Sequence, residues 1–168
     1  MIKNYFHLLR VPQWIKNLFV FVPLLFSLHF FEADYFVQTL KGFFIFCLAS
    51  SFIYIINDII DIEADAAHPK KKLRPLPSGK ISKRSAWYAS VLIFVILVLL
   101  LFLVNIAFIL YLIIFVVLNV LYSLYFKHIV ILDVFSIAAG FTLRVLGGAA
   151  VISVPVSSWL ILTTMFIS

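Results

Sequence analysis

Three carboxylates, Asp58, Asp61 and Asp65, recur at intervals of three and four in the run Asn57-Asp58-Ile59-Ile60-Asp61-Ile62-Glu63-Ala64-Asp65. On an α-helix that spacing puts all three on one face, with Tyr54 and Ser51 above them, and turns Glu63 elsewhere. Like charges this close repel, and at the carboxyl end of a helix they also oppose the helix dipole, so the cluster predicts a cation beside it. Mg2+ suits the site: it binds oxygen, uses one or two carboxylates and shares its remaining positions with substrate phosphates. The structural alternative is a solvated helix end with scattered charges.

The residues that follow, His68-Pro69-Lys70-Lys71-Lys72-Leu73-Arg74-Pro75-Leu76-Pro77-Ser78-Gly79-Lys80, set a basic loop directly after the acids. Lys72 and Arg74 are candidates to neutralise phosphate that a metal does not reach. Membrane anchoring alone accounts for the charge, but not for Pro75, Pro77 and Gly79, which fix the loop's shape. His7 and His29 are far apart and His68 abuts a proline, which argues against a histidine metal site. Glycine-rich nucleotide loops, nucleophile elbows and zinc motifs are missing from the sequence.

The elements that must position these groups are membrane spans. Of 168 residues, 65% are hydrophobic and 12% charged, far from the roughly 45–50% apolar and 25% charged of soluble domains. Apolar stretches long enough to cross a bilayer fall at about 15–31, 35–57, 86–104, 107–126 and 132–152, and a partial sixth begins at Pro155. The fold class is therefore all-α, a polytopic transmembrane helix bundle of about five full spans plus a partial sixth, in a single transmembrane domain over 1–168. The one long polar segment, about 58–85, holds four of the seven acids and seven of the thirteen basic residues. It falls on the same side as Lys3, Arg10, Lys16 and Lys127, against Lys41 alone on the other, and the positive-inside rule makes that side cytoplasmic. The net charge of +6 thus reflects topology, with no nucleic-acid partner. Bulky Phe19, Phe21, Leu24 and Phe26 are unlike a cleavable leader, so Met1 reads as the mature start. Cys47, the single cysteine, lies in an apolar run and reads as packing.

Asp133 and Arg144 are eleven residues apart, about three turns and 16 Å of helix, and project from nearly the same face. Arg144 then falls near mid-bilayer, where a charge requires a polar cavity or a partner acid on another helix. Every other acid lies in a surface segment, which favours the cavity. Gly147 and Gly148 permit close helix approach. Tyr122 and Lys127 end the fourth span, either as interface anchors or as substrate ligands.

The run Asn57-Asp58-x-x-Asp61-x-x-x-Asp65 with Arg74-Pro75-Leu76-Pro77-Ser78-Gly79 resembles the first aspartate-rich motif of the UbiA prenyltransferase superfamily. The segment Tyr122-Ser123-x-x-x-x-Lys127-His128, with Asp133 and Gly140-Phe141, resembles that family's stretch between helices four and five. Within the family, Arg10-Val11-Pro12-Gln13-Trp14-Ile15-Lys16-Asn17 and Ala67-His68-Pro69 are most similar to the decaprenyl-phosphate phosphoribosyltransferase branch.

The resemblance implies a bundle of about nine spans around a cavity, in a bacterial plasma membrane, with Mg2+ as cofactor at a cytoplasmic mouth. Asp58, Asp61 and Asp65 become the catalytic and metal positions; Lys16, Asn17, Asn57, Lys72, Arg74, Tyr122, Lys127, Asp133 and Arg144 become substrate-binding candidates. The implied partners are a phosphorylated sugar donor, phosphoribosyl pyrophosphate, and a polyprenyl phosphate acceptor. In the alternative branch a polyprenyl diphosphate donates its lipid to an aromatic acceptor such as 4-hydroxybenzoate. The family also carries a second aspartate-rich motif after its sixth span, within which this sequence stops, so the resemblance implies part of a site and little activity from these residues alone. A transporter or an inert inserted fragment are the readings of another class; broken helices or paired repeats, which a transporter would be expected to show, are not visible.

Overall fold

A computed structural model describes residues 2–167. Met1 and Ser168, where the mature start and the interruption of the sixth span were read, lie outside the described residues, as does the side chain of His128. Among the described residues the secondary structure is helical throughout: α1 (Ile2–Leu8), a 3-10 segment (Val11–Phe21), α2 (Val22–Phe26), α3 (Ala33–Ile60), α4 (Ile62–Ala67), a 3-10 turn (Lys71–Leu73), α5 (Lys83–Leu101), α6 (Ile106–Leu124), a second 3-10 turn (Phe126–His128), α7 (Val130–Val151) and α8 (Ser158–Ile167).

Helices α3, α5, α6 and α7 are long and apolar enough to cross a membrane. They fall within a few residues of the second to fifth spans expected from the sequence. The first expected span differs. It is a 3-10 segment that passes into the short α2, not one α-helix. Pro23 supplies a reason at the junction. In α-helical register its ring would collide with the carbonyl of Phe19; in the tighter winding that carbonyl accepts instead from the Val22 N–H. A 3-10 rise of about 2.0 Å per residue also lets this stretch reach farther than its residue count suggests, roughly 30 Å over Val11–Phe26.

The 3-10 segment packs between α3 and α7; α6 lies along α7, and α5 along α3. One apolar cluster joins them, with Phe46 of α3 edge-on to Phe108 and Phe115 of α6 at ring separations of 5.5 and 5.2 Å. Gly147 is what lets α7 lie there, because a Cβ on it would fall 2.7 Å from the Phe46 ring. A second cluster at the polar end gathers Leu8, Ile55, Ile59, Leu76 and Ile81. It ties α1, the end of α3 and the basic loop together, and so fixes the floor of the site.

The turn between α5 and α6 rests on Asn105. Its side chain accepts from the Phe108 N–H at 2.9 Å, capping α6, and donates to the Ala150 carbonyl at 2.6 Å, one residue before the end of α7. Asn105→Ala removes both bonds, and the expected loss is about 1–2 kcal/mol of stability, read as a lower Tm in detergent with an unchanged α-helical spectrum.

Candidate active site

Helix α3 stops one residue before Asp61, whose backbone (φ −88°, ψ 10°) breaks the helix before α4 begins. The three acids therefore do not lie along one continuous helical face, which corrects the reading of Asn57 to Asp65 as a single helix end. The upper part of that face holds: Ser51, Tyr54 and Asp58 all meet the amino-terminal segment. Ser51 donates to the Leu9 carbonyl at 2.7 Å and accepts from the Trp14 indole at 3.0 Å. The ring of Tyr54 lies 4.4 Å under the Arg10 guanidinium, and Arg10 reaches on to Asp58 at 2.5 Å.

Asp58 and Asp65, 3% and 1% exposed, are drawn together by one group. Nη1 of Arg74 stands 3.3 Å from Asp58 Oδ1 and 2.5 Å from Asp65 Oδ2, and Lys71 Nζ stands 3.2 Å from Asp65 Oδ1. The cation that the cluster required is thus supplied by the protein itself. Arg74 is held there by the turn behind it: the Arg74 carbonyl accepts from Ser78, the Pro75 carbonyl accepts from Ile81, and Gly79 takes a left-handed φ of 72°. Leu76 and Ile81 bury their side chains beneath. The prolines and the glycine of the basic loop therefore shape one cation's approach to two acids.

Above this network opens a cavity of about 620 Å³, into which Lys3, His7, Arg10, Lys70, Arg74 and Lys80 converge with Asp58 in the wall. Acids buried below and cations partly exposed above make a surface that attracts a polyanion. Among the described residues no three His, Cys, Asp or Glu side chains gather as a ligand set. Two carboxylates converging on one cationic atom nevertheless match the donor chemistry that Mg2+ uses when phosphate oxygens complete its shell, so Asp58 and Asp65 fit the ion and Asp61 stands outside the pair.

The other candidates divide. Lys16, Tyr122 and Arg144 line a second cavity of about 270 Å³ deeper in the bundle. Asp133 borders it by accepting from the Tyr122 hydroxyl at 2.9 Å. Asn17, 1% exposed, lines neither of these two cavities; it accepts from Arg144 Nε at 2.7 Å and donates to Cys47 Sγ at 3.3 Å. Asn57 contributes its carbonyl to the Asp61 N–H. Lys72 and Lys127 are exposed and line neither cavity; Lys71, not Lys72, reaches the acids. The sequence reading missed Arg10, Lys71, Lys3 and His7 as site residues. Arg10 is 48 positions from Asp58, and it reaches the acid from a left-handed backbone (φ 50°, ψ 42°) that nothing in its neighbourhood announces.

A family model described as the UbiA prenyltransferase family matches residues 17–168. A decaprenyl-phosphate phosphoribosyltransferase of Mycolicibacterium smegmatis is 30% identical over 161 residues, covering 94% of this chain and 51% of that protein. One of the same name from Corynebacterium glutamicum is 30% identical over 162 residues, covering 94% and 49%. The chain thus spans about half the length of these curated relatives. In three dimensions, a UbiA homologue from Archaeoglobus fulgidus, described as bound to GPP and Mg2+, superposes with a TM-score of 0.73 at 22% identity, over 98% of this chain and 59% of that one.

Proposed function

The chain belongs to the UbiA prenyltransferase family, and from that premise we propose that it carries the donor site of an Mg2+-dependent membrane transferase that moves phosphoribose from phosphoribosyl pyrophosphate to a polyprenyl phosphate. The observation that carries the choice of donor is the cationic cavity. An allylic diphosphate is anionic at one end only, with its lipid tail among the helices. Phosphoribosyl pyrophosphate is anionic at both ends of a polar sugar and has no tail. A wide cavity ringed by Lys3, Arg10, Lys70, Arg74 and Lys80 offers more positive charge than one diphosphate needs. The names of the Mycolicibacterium smegmatis and Corynebacterium glutamicum relatives, each matching 94% of the chain, agree with a phosphoribosyl donor.

When bound, Mg2+ would stabilise the charge that builds on the departing pyrophosphate. The protein's own residues do the rest. Asp58 and Asp65 would hold the ion; Arg74 and Lys71, freed from the acids, would turn to phosphate oxygens. Lys80 and Lys70, on either side of the turn, would orient the 5′-phosphate of the sugar. The lipid phosphate attacks the anomeric carbon, a C–O bond forms as the bond to pyrophosphate breaks, and pyrophosphate leaves with the electron pair. The polar end of the bundle, in this reading, faces the cytoplasm of a bacterial plasma membrane, where such donors are made.

The test is transfer of label from phosphoribosyl pyrophosphate to polyprenyl phosphate in membranes carrying the complete gene product. Product that requires Mg2+ is expected, and Lys80→Gln should raise the donor's KM about tenfold by removing one charge-assisted contact, with little change in kcat. Well-expressed protein that gives no such product, yet prenylates 4-hydroxybenzoate from a polyprenyl diphosphate, would overturn the reading in favour of the aromatic acceptor.

A further inference from the structure

Arg144 is 7% exposed in the middle of α7, and among the described residues no carboxylate pairs with it. Its Nε donates to Asn17, its Nη1 donates to the Gly140 carbonyl at 2.8 Å, and the rings of Phe115 and Phe141 flank it at 4.6 and 5.3 Å. All these partners are neutral. They aim the guanidinium and leave its charge uncompensated, with N–H groups to spare for the 270 Å³ cavity it lines. Lys16 adds a second positive charge to the same cavity, with Tyr54 and Asn119 as neutral groups around it, while the acid at its border, Asp133, is engaged by the Tyr122 hydroxyl. A buried charge without a counter-ion is costly in a bundle that spans a membrane, and an anionic ligand removes that cost.

Tyr54 separates this cavity from the first one. It lines the deeper cavity beside Arg144, while its ring carries Arg10, which lines the upper one. Resting on the function proposed above, we infer that the deeper cavity binds the phosphomonoester head of the acceptor lipid on Arg144 and Lys16, so that donor and acceptor meet across Tyr54. The site's depth selects a phosphate attached to an apolar chain. Leu118, Ile137 and Phe141 supply apolar wall for the first carbons of that chain. Asn17 is then a positioning residue: by taking Nε it fixes which edge of the guanidinium is presented.

The measurement is equilibrium binding of farnesyl phosphate to the chain in lipid nanodiscs, with farnesol and inorganic phosphate as comparison ligands. Farnesyl phosphate is expected to bind at least about tenfold more tightly than either, because the site reads charge and chain together. Lys16→Gln, at an exposed position with no structural bond, is expected to weaken farnesyl phosphate about tenfold and to leave farnesol unchanged. Arg144→Lys keeps the charge but loses the fork, and should weaken the same ligand further. Equal binding of farnesol would show a greasy groove only, equal binding of inorganic phosphate an anion site without a lipid, and unchanged affinity in Lys16→Gln a phosphate bound elsewhere; each overturns the inference. The two proposals fail separately. Farnesyl phosphate binding that depends on Lys16 in a protein that transfers no phosphoribose leaves this site standing and sinks the donor. Phosphoribosyl transfer with a lipid KM indifferent to Lys16 does the opposite.

Discussion

Asp58→Asn is expected to lower transfer by roughly 10²- to 10³-fold and to raise the Mg2+ concentration needed for half-maximal activity. The substitution keeps the size of the side chain and one acceptor oxygen but removes the charge to which Arg10 and Arg74 both bind. An amide at a 3% exposed position facing two guanidinium groups is a poor exchange, since its NH₂ presents donors to donors. Arg74 keeps Asp65 at 2.5 Å and the turn behind it, so the basic loop should stay folded while the ion loses one of its two proposed ligands. Circular dichroism that matches the parent protein, with loss of activity and a right-shifted Mg2+ titration, is the expected combination. Asp61→Asn supplies the contrast. Because the break after Ile60 leaves Asp61 outside the pair, its substitution should reduce activity by less than about tenfold, as removal of a charge near the site but not in it. Equal losses at Asp58 and Asp61 would restore the three-carboxylate face that the bare spacing suggests.

That contrast marks how far the sequence could be read. Spacing of three and four residues correctly puts Ser51, Tyr54 and Asp58 on a shared face, because α3 is regular there. It fails at Asp61 because a periodicity argument assumes one unbroken helix, and the repulsion and dipole opposition that made the cluster notable are reasons for the helix to end. Arg74 was legible for a similar reason: prolines and a glycine beside a cation imply a shaped loop, and the turn bonds of Arg74, Pro75 and Leu76 are that shape. Choosing among three consecutive lysines was not. Lys71 and Lys72 have the same neighbours in sequence, and only the 3-10 turn decides that Lys71 faces Asp65. Arg10, and the pairing of Asn17 with Arg144, were hidden for want of any local signal. Their roles come from packing the 3-10 segment against α3 and α7, a long-range event that hydropathy reports only as one more apolar stretch. Arg144 shows the reverse case. An arginine in an apolar run is improbable enough to require either a polar cavity or a partner acid, the acids' placement in surface segments favours the cavity, and Arg144 lines one.

The same long-range packing sets the second large effect, Gly148→Ala, which should destabilise the bundle by about 3 kcal/mol or more although it adds one methyl group far from any acid. A Cβ at position 148 would run into the carbonyl oxygen of Val20, and the Val20 Cα would lie 3.0 Å away. Both obstacles are backbone, so no rotamer change relieves them. Either α7 or the 3-10 segment must retreat. At Gly147 the neighbour is the edge of the Phe46 ring, a side chain and not backbone, and Gly147→Ala should be the milder of the two. The consequence of the retreat at Gly148 is specific. Asn17 lies one turn of the 3-10 segment before Val20, and Arg144 lies one turn of α7 before Gly148, so displacing one pair of backbones pulls apart the 2.7 Å bond between the other pair. Thermal unfolding in detergent should therefore begin several degrees lower in Gly148→Ala. In protein that remains folded, affinity for a lipid phosphate should fall while affinity for Mg2+, whose proposed ligands lie at and beyond the far end of α3, changes little. Loss of both affinities together would show that the two cavities are one cooperative unit, and loss of neither would show that α7 can move off the 3-10 segment without disturbing Arg144.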